Sequence, residues 1–221
     1  MRGKFISLEG GEHVGKSTHC DLLYGYLTDQ LGDGSVELLR EPGSTPLGEH
    51  LRKIIKGEEP VEGEPPLNFE RGDLAIFYML AAARAEVFEN VVIPRLREGV
   101  HVLADRSIDT TIAYQGHGFG IDEDLIRVVT ANATQGIRPN LTLLIDPPVG
   151  FHIRSDEITD AIEGLGQEFH GRVYEGFREI AQAESRLSDR IKIVPYVGDD
   201  ISGMQKTMRG YVDSLMDIVH A

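Results

Sequence analysis

The sequence KFISLEGGEHVGKST, residues 4–18, joins an apolar run to a glycine-rich turn and indicates the fold class. Residues 4–9 contain Phe5, Ile6 and Leu8 and stop at two glycines, so they are predicted to form a buried strand. Residues 10–17 match the spacing G-x-x-x-x-G-K-[ST], and a helix is predicted from about Lys16 to Leu31. A strand, this turn and a helix in succession are the setting in which the motif binds phosphate groups.

Each residue type in the turn has a chemical reason. Glycine lets the backbone curl until consecutive N–H groups point at phosphate oxygens. Lys16 adds a mobile positive charge for the β- and γ-phosphates, and Ser17 offers a hydroxyl to Mg²⁺. We therefore expect ATP, accompanied by Mg²⁺, as the ligand of this turn. The predicted ATP-binding residues are Gly10, Gly11, Glu12, His13, Val14, Gly15, Lys16, Ser17 and Thr18.

Apolar runs and helical patterns alternate along the rest of the chain. Further strands are predicted at residues 36–40, 101–105, 141–146 and 191–195. Helices are predicted, among other stretches, at residues 47–56, 72–97 and 202–219. The acidic, proline-containing stretch 57–66 is predicted to be a solvated loop. This alternation predicts one α/β domain over residues 1–221, with a parallel sheet and helices on both of its faces.

Charge and composition restrict the partners and the location. The net charge of -14 over 221 residues repels phosphate backbones, so we do not expect nucleic-acid binding. No apolar run approaches the roughly 18 residues that a membrane span needs. Cys20 is the only cysteine, which excludes an internal disulfide and favours a reducing, cytoplasmic location. An anionic small molecule remains possible if local groups bind it.

A second group of polar side chains follows the third strand of the chain, residues 101–105. Asp105 and Arg106 end it, and ligands of open parallel sheets bind beyond the carboxyl ends of the strands. A carboxylate there can order a metal ion, and a guanidinium can hold a phosphate. Thr111 and Gln115 are four residues apart and share a helix face, which can bind the polar edge of a pyrimidine. Arg84 lies among alanines in the long helix, where it either extends to water or faces a ligand.

The chain resembles the thymidylate kinase family in six stretches, which are ISLEGGEHVGKST, LLREPGSTPLGEHLR, AAARAEVFENVVIPRL, VLADRSIDTTIAYQGHGFGI, GIRPNLTLLIDPPVG and, more weakly, GLGQEFHGRVYEGFREIA. REPGST and DRSIDTTIAYQG are more specific than the phosphate-binding turn, which many nucleotide-binding proteins share. The resemblance implies a P-loop fold with a five-stranded parallel sheet and a homodimer packed through long helices. It also implies transfer of the γ-phosphoryl group of ATP to dTMP.

The resemblance also implies roles for individual residues. Lys16 and Ser17 fall where the family binds ATP and Mg²⁺, and Arg106 falls where it contacts the acceptor phosphate. Glu12 takes the acidic P-loop position that faces the acceptor sugar and phosphate, and Arg84 falls where the family contacts thymine. The other residues of the predicted acceptor site are Glu41, Pro42, Leu80, Asp105, Thr111, Tyr114 and Gln115, and the predicted metal ligands are Ser17 and Asp105.

Three departures from the family pattern concern the base pocket and the lid. Leu80 replaces a phenylalanine that stacks on the base, and Ser107 replaces an aromatic residue after Asp105-Arg106. In the lid segment, residues 151–166, Ala161 stands where an arginine is usual.

The positive charge that the lid lacks is expected instead from His13 in the P-loop and Arg154 near the start of the lid. The predicted catalytic residues are therefore Lys16, Arg106, Glu12, His13 and Arg154. Two alternatives remain open. The changes at Leu80 and Ser107 leave room for a kinase of dUMP or of a modified pyrimidine monophosphate. The altered lid leaves room for a nucleotide-binding protein with little turnover.

Overall fold

The apolar runs form parallel strands of one sheet in the computed structural model, which describes residues 3–57, 72–152 and 161–218. The strands in those ranges are β1 (Phe5–Glu9), β2 (Val36–Arg40), β3 (His101–Asp105), β4 (Leu141–Asp146) and β5 (Ile191–Pro195). Their order across the sheet is β2-β3-β1-β4-β5. β1 lies at the centre, because it pairs in parallel with β3 on one side and with β4 on the other. The predicted five-stranded parallel α/β fold is confirmed.

Helices pack on both faces of this sheet. They are α1 (Lys16–Leu31), α2 (Pro46–Lys56), α3 (Asp73–Val87), α4 (Ile93–Glu98), α5 (Ile108–Thr111), α6 (Glu123–Ala133), α7 (Gly166–Ser185) and α8 (Ile201–Met216). Ile6 and Leu8 of β1 pack with α1 and α8, whereas Phe5 points to the opposite face and packs against the end of α3 and against α4. None of the helices in the described ranges is long and apolar enough to cross a membrane.

The ends of several helices have identifiable causes. The hydroxyl of Thr45 accepts a hydrogen bond from the Gly48 N–H at 2.9 Å and caps α2, which begins one residue before its predicted start. Asp217 adopts a left-handed backbone with φ 57°, so α8 ends at Met216 rather than at the predicted residue 219. Of the predicted loop 57–66, all but Gly57 lies outside the described residues.

The predicted helix 72–97 is continuous but changes its winding. α3 is followed by a π-helical segment, Phe88–Val92, and then by α4, which ends at Gly99 with φ 87°. The N–H of Ile93 bonds to the carbonyl of Phe88, five residues earlier. Pro94 follows directly, and a proline ring clashes with the carbonyl four residues before it in a regular α-helix. The wider turn accommodates that proline without ending the helix.

The π-helical segment contributes to the core on one face of the sheet. Phe88 is fully buried and meets Phe5 of β1 edge-on, with 5.8 Å between ring centroids. We expect Phe88→Ala to lower the free energy of unfolding by about 3–5 kcal/mol, because it removes a buried ring and leaves a cavity. Urea unfolding followed by circular dichroism measures this loss. Leu187→Ala is the control, because Leu187 is 83% exposed and its loss should cost less than about 0.5 kcal/mol. Equal effects of the two substitutions would contradict the packing described.

Candidate functional site

The glycine-rich turn leads from the end of β1 into the start of α1. Gly10 and Gly15 have φ values of 144° and 77°, which residues with a side chain rarely adopt. A Cβ atom on Gly10 would also lie 2.8 Å from the carbonyl oxygen of Ile145. The Lys16 ammonium is buried and donates a hydrogen bond to the carbonyl of Gly11. Burial, with the Arg106 charge nearby, lowers the pKa of Lys16 to about 8.

A cavity of about 340 Å³ lies over this turn. Its lining includes Lys16, Ser17 and Thr18 of the turn, Arg52 and Lys56 of α2, and Asp105 and Arg106 at the end of β3, with Arg40 and Glu41 at the end of β2 and Glu163 beside them. Several positive side chains thus face one space beside the N-terminus of α1. Such a space suits the phosphate groups of a nucleotide.

Ser17 and Asp105, the predicted metal ligands, are in direct contact. The hydroxyl of Ser17 donates a 2.6 Å hydrogen bond to Asp105 Oδ2. Asp105 Oδ1 is buried and has no hydrogen-bond partner among the described residues. The described residues also contain no cluster of three or more His, Cys, Asp or Glu side chains able to hold a metal ion. This donor set fits Mg²⁺ as it is bound in nucleotide sites, by one or two protein oxygens together with phosphates and water.

Arg106 and Glu12 form an ion pair beside the turn. Arg106 Nη2 donates to Glu12 Oε1 at 2.7 Å, and Arg106 Nη1 donates to the carbonyl of Gly10 at 3.0 Å. The hydroxyl of Tyr114 donates to the same Glu12 oxygen at 2.7 Å. Burial favours the neutral acid, but the charges of Arg106 and Lys16 and the Tyr114 hydrogen bond outweigh it and lower the pKa of Glu12 to about 2. Glu12 is therefore ionised at neutral pH and orients Arg106.

A second cavity, of about 120 Å³, opens next to the first. It is lined, among others, by Pro42, Leu80, Arg84, Thr111, Tyr114 and Gln115, all of them predicted acceptor-site residues. Gln115 Oε1 is buried and has no hydrogen-bond partner among the described residues. A buried amide oxygen without a partner is costly unless a ligand donates to it.

Arg84 is buried rather than extended to water. Its Nε donates to Glu41 Oε2 at 2.6 Å, its Nη1 to the Thr111 hydroxyl at 2.7 Å, and its Nη2 to the Ser107 carbonyl at 3.0 Å. The Ser107 hydroxyl donates to the other oxygen of Glu41 at 3.1 Å. Arg84 therefore connects α3, the loop after β2 and the segment after β3, which form three of the walls of the smaller cavity.

Sequence reasoning missed Arg52 and Lys56 of α2, which line both cavities. Arg52 Nη1 also donates to the carbonyl of Pro42 at 3.2 Å, close to the predicted acceptor loop. A signal for them was available, because residues four apart in a helix share one face. The sequence does not reveal which face of α2 lines the cavities, since that depends on how the helix packs.

The residues expected to replace the lid arginine are only partly described. His13 lines the larger cavity, and its Nε2 lies 3.3 Å from Glu163 Oε1. Glu163 begins a short 3₁₀ segment, Glu163–Leu165, at the end of the lid. Arg154 lies outside the described residues, so its predicted role stays a prediction.

Known proteins resemble this chain over most of its length. A family model described as thymidylate kinase matches residues 8–195. The thymidylate kinase of Synechococcus sp. (strain JA-2-3B'a(2-13)) is 40% identical over 187 residues, which are 85% of each chain.

The chain belongs to the thymidylate kinase family.

Two further members of the family match nearly the whole chain. The thymidylate kinase of Carboxydothermus hydrogenoformans is 36% identical over 215 residues, covering 95% of this chain and all of the relative. The crystal structure of thymidylate kinase from Ehrlichia chaffeensis has a TM-score of 0.75 at 30% identity, covering 96% of this chain and 100% of the other. The predicted family and enzyme class are thereby confirmed for this thymidylate kinase family member.

The ionised state of Glu12 makes a testable contribution to stability. Its folded-state pKa lies below its ordinary value of 4.5, so the carboxylate stabilises the fold above about pH 4.5. That contribution, at most about 3 kcal/mol, is lost as the pH falls from about 4.5 towards 2. We expect Glu12→Gln to lower the free energy of unfolding at pH 7 and to differ less from the parent protein at pH 3.

Reversible urea unfolding at the two pH values measures this difference. Glu98→Gln is the matched control, because the Glu98 side chain is 58% exposed and pairs with Arg95 on the surface. That pair should contribute less than about 1 kcal/mol. A Glu12→Gln deficit that is the same at both pH values would show that the Glu12 charge does not stabilise the fold.

Proposed function

We propose that this chain transfers the γ-phosphoryl group of MgATP to the phosphate of dTMP. The observation that carries the proposal is that the two cavities share Glu12, Glu41, Arg52, Lys56 and Arg106 in their linings. A phosphate-binding space over a P-loop therefore meets a second, partly apolar space at a group of cations. Phosphoryl transfer depends mainly on positioning two phosphates in line and on stabilising their charge.

On the donor side, the N–H groups of the P-loop and the Lys16 ammonium would bind the phosphates of ATP. Lys16 donates to the Gly11 carbonyl in the described structure, and a bound phosphate would replace that acceptor. Ser17 and Asp105 would hold Mg²⁺, which neutralises charge on the phosphate oxygens when bound. Phosphate charges close to Lys16 favour its protonated form, which offsets the effect of burial.

On the acceptor side, Arg106 and Arg52 would bind the phosphate of dTMP. The Arg106 guanidinium is held between Glu12 and the Gly10 carbonyl, so its orientation is set before the substrate arrives. The base would enter the smaller cavity, where the Gln115 amide oxygen can accept a hydrogen bond from it. Leu80 offers an apolar surface in the same cavity, and Arg84 with Thr111 forms a polar wall.

Further features of the proposal concern charge, assembly and location. His13 and Arg154 remain the proposed replacements for the lid arginine. A homodimer packed through α3 is supported by Leu74 and Tyr78, which are 47% and 48% exposed on that helix. A cytoplasmic location is supported by the single cysteine of the chain.

The experiment that tests the function is an ADP-release assay with MgATP and a panel of nucleoside monophosphates. We expect turnover with dTMP at a higher kcat/KM than with dUMP, by the roughly 10- to 200-fold that one buried methyl group allows. Faster turnover with dUMP would support the alternative acceptor. ATP binding without ADP release in the presence of any of the monophosphates would support a nucleotide-binding protein with little turnover.

Arg106→Lys tests the acceptor phosphate site. Lysine keeps the charge but lacks the planar fork that binds two phosphate oxygens at once. We expect kcat/KM for dTMP to fall at least about tenfold, with KM for ATP changing less than about twofold. Steady-state kinetics with each substrate varied in turn measure both constants. Equal weakening towards ATP and dTMP would place Arg106 on the donor instead.

Leu80→Phe tests the base pocket. Phe77 of α3 is fully buried and Tyr78 is 48% exposed, whereas Leu80 is half-buried and lines the smaller cavity. An aromatic ring that stacks on a base contributes about 1–3 kcal/mol, so we expect KM for dTMP to fall at least about fivefold. Leu187→Phe is the control, because Leu187 is 83% exposed. An unchanged or higher KM in Leu80→Phe would mean that another side chain supplies the stacking surface.

A further inference from the structure

Glu9 has a fully buried carboxyl group at the carboxyl end of β1. Its Oε1 accepts a hydrogen bond from the Ser107 N–H at 2.8 Å, and its Oε2 accepts one from the Thr110 hydroxyl. Burial, with the charge of Asp109 nearby, raises the pKa of Glu9 to about 8. An apolar residue would fit the buried pattern of β1 at a lower cost. The reason for a carboxyl group here therefore lies in the segment that its hydrogen bonds hold.

These hydrogen bonds attach Glu9 to the segment that follows Arg106. Arg106 has φ 71°, a left-handed backbone that costs roughly 1–2 kcal/mol for a residue with a side chain. Its own N–H donates to the Leu8 carbonyl at 2.9 Å, and the next N–H along the chain, that of Ser107, donates to Glu9. β1 thus holds the backbone on both sides of the strained residue.

Thr110 provides a second connection between Glu9 and Arg106. Its hydroxyl donates to Glu9 Oε2 and lies 3.5 Å from Arg106 Nη1, which it meets as an acceptor. The Glu9 carboxyl group therefore orients the Thr110 hydroxyl, and the hydroxyl oxygen faces the guanidinium. This is the same guanidinium that donates to Glu12 and to the Gly10 carbonyl at the junction of the two cavities.

We propose that Glu9 is a positioning residue, which keeps Arg106 in its left-handed conformation through the Ser107 N–H and the Thr110 hydroxyl. The inference rests on the proposed function, in which Arg106 binds the acceptor phosphate. Glu9 itself does not touch the substrate, because both of its oxygens are buried in these hydrogen bonds.

Other contacts hold the rest of the segment when Glu9 is changed. The Ser107 hydroxyl donates to Glu41, and the Ser107 carbonyl accepts from Arg84. Asp109 of α5 is bound by Arg190 through two hydrogen bonds of 2.8 and 3.0 Å. Removing the Glu9 carboxylate should therefore disturb the orientation of Arg106 more than the attachment of α5.

The test uses steady-state kinetics of the full chain with Glu9→Ala, Glu9→Gln, Thr110→Val and Thr110→Ser. We expect Glu9→Ala to raise KM for dTMP about tenfold, because a displaced Arg106 would lose one charged hydrogen bond to the acceptor phosphate, with KM for ATP changing less than about twofold. Glu9→Gln keeps an acceptor for the Ser107 N–H and should have a smaller effect. Thr110→Val should also raise KM for dTMP, and Thr110→Ser, which keeps the hydroxyl, should leave this KM close to the parent value.

A purely structural role predicts a different outcome. If Glu9 only supports the fold, its substitution should lower the melting temperature and raise KM for ATP and for dTMP by similar factors. This result would overturn the proposal. Thr207→Val is the matched control, since the exposed Thr207 hydroxyl donates only to the Gly203 carbonyl of its own helix among the described contacts. If Glu9→Ala does not fold, Glu9→Gln and Thr110→Val decide the question. An unchanged dTMP constant in Thr110→Val would overturn the proposal too.

Arg106→Lys separates this inference from the proposed function. If Arg106→Lys leaves KM and kcat/KM for dTMP unchanged, the acceptor assignment of Arg106 fails. If Arg106→Lys lowers kcat/KM for dTMP while Thr110→Val and Glu9→Ala leave it unchanged, only the proposed role of Glu9 fails. In the double variant Glu9→Ala/Arg106→Lys, we expect less than the sum of the two effects, because both act through one guanidinium. If the two effects on KM for dTMP add fully, Glu9 does not act through the Arg106 guanidinium.

Discussion

The parallel pairing of β1 with β3 is the constraint on which the site depends. Leu8 stands opposite Asp105 in the register of these strands, and the Arg106 N–H bonds to the Leu8 carbonyl just beyond it. Both strands therefore end at the same edge of the sheet, one in the P-loop and the other in Asp105 and Arg106. This adjacency brings Ser17 within 2.6 Å of Asp105 and Arg106 within 2.7 Å of Glu12. A shift of one residue in this register would separate the donor and acceptor halves of the site.

An acidic protein that binds a nucleotide must concentrate its positive charge locally. The chain carries a net charge of -14, yet Lys16, Arg52, Lys56 and Arg106 line one cavity. Carboxylates hold the arginines of the two cavities in place, since Glu12 pairs with Arg106 and the buried Glu41 pairs with Arg84 in the smaller cavity. Such pairs cost desolvation and add little net stability, so their value here lies in orientation. The long-range field of the protein repels nucleotides, and the short-range site must overcome that repulsion.

Much of the fold and part of the site could be predicted because their signals are local. The strands 36–40, 101–105, 141–146 and 191–195 have the predicted bounds, since each is a short segment rich in apolar residues between polar or turn-forming ones. The P-loop could be recognised because glycine spacing alone dictates how its backbone curls. The sequence also shows Pro94, but it does not show that the helix adopts a π-helical segment ahead of this proline. The helix continues through a π-helical turn because packing of Phe88 and Val92 into the core holds it together.

The sequence by itself determined the alternation of strands and helices, the phosphate-binding turn, the acidic character and the family. Each of these depends on residue type and spacing over a few neighbours. Only the tertiary structure decided the partners of Arg84, the place of Arg52 in both cavities and the hydrogen bonds of Glu9. Glu9 and Ser107 are 98 residues apart in the chain, and Arg84 and Glu41 are 43 apart. Contacts over such separations follow from strand order and helix packing, which set the distance between side chains and leave no pattern in the local sequence.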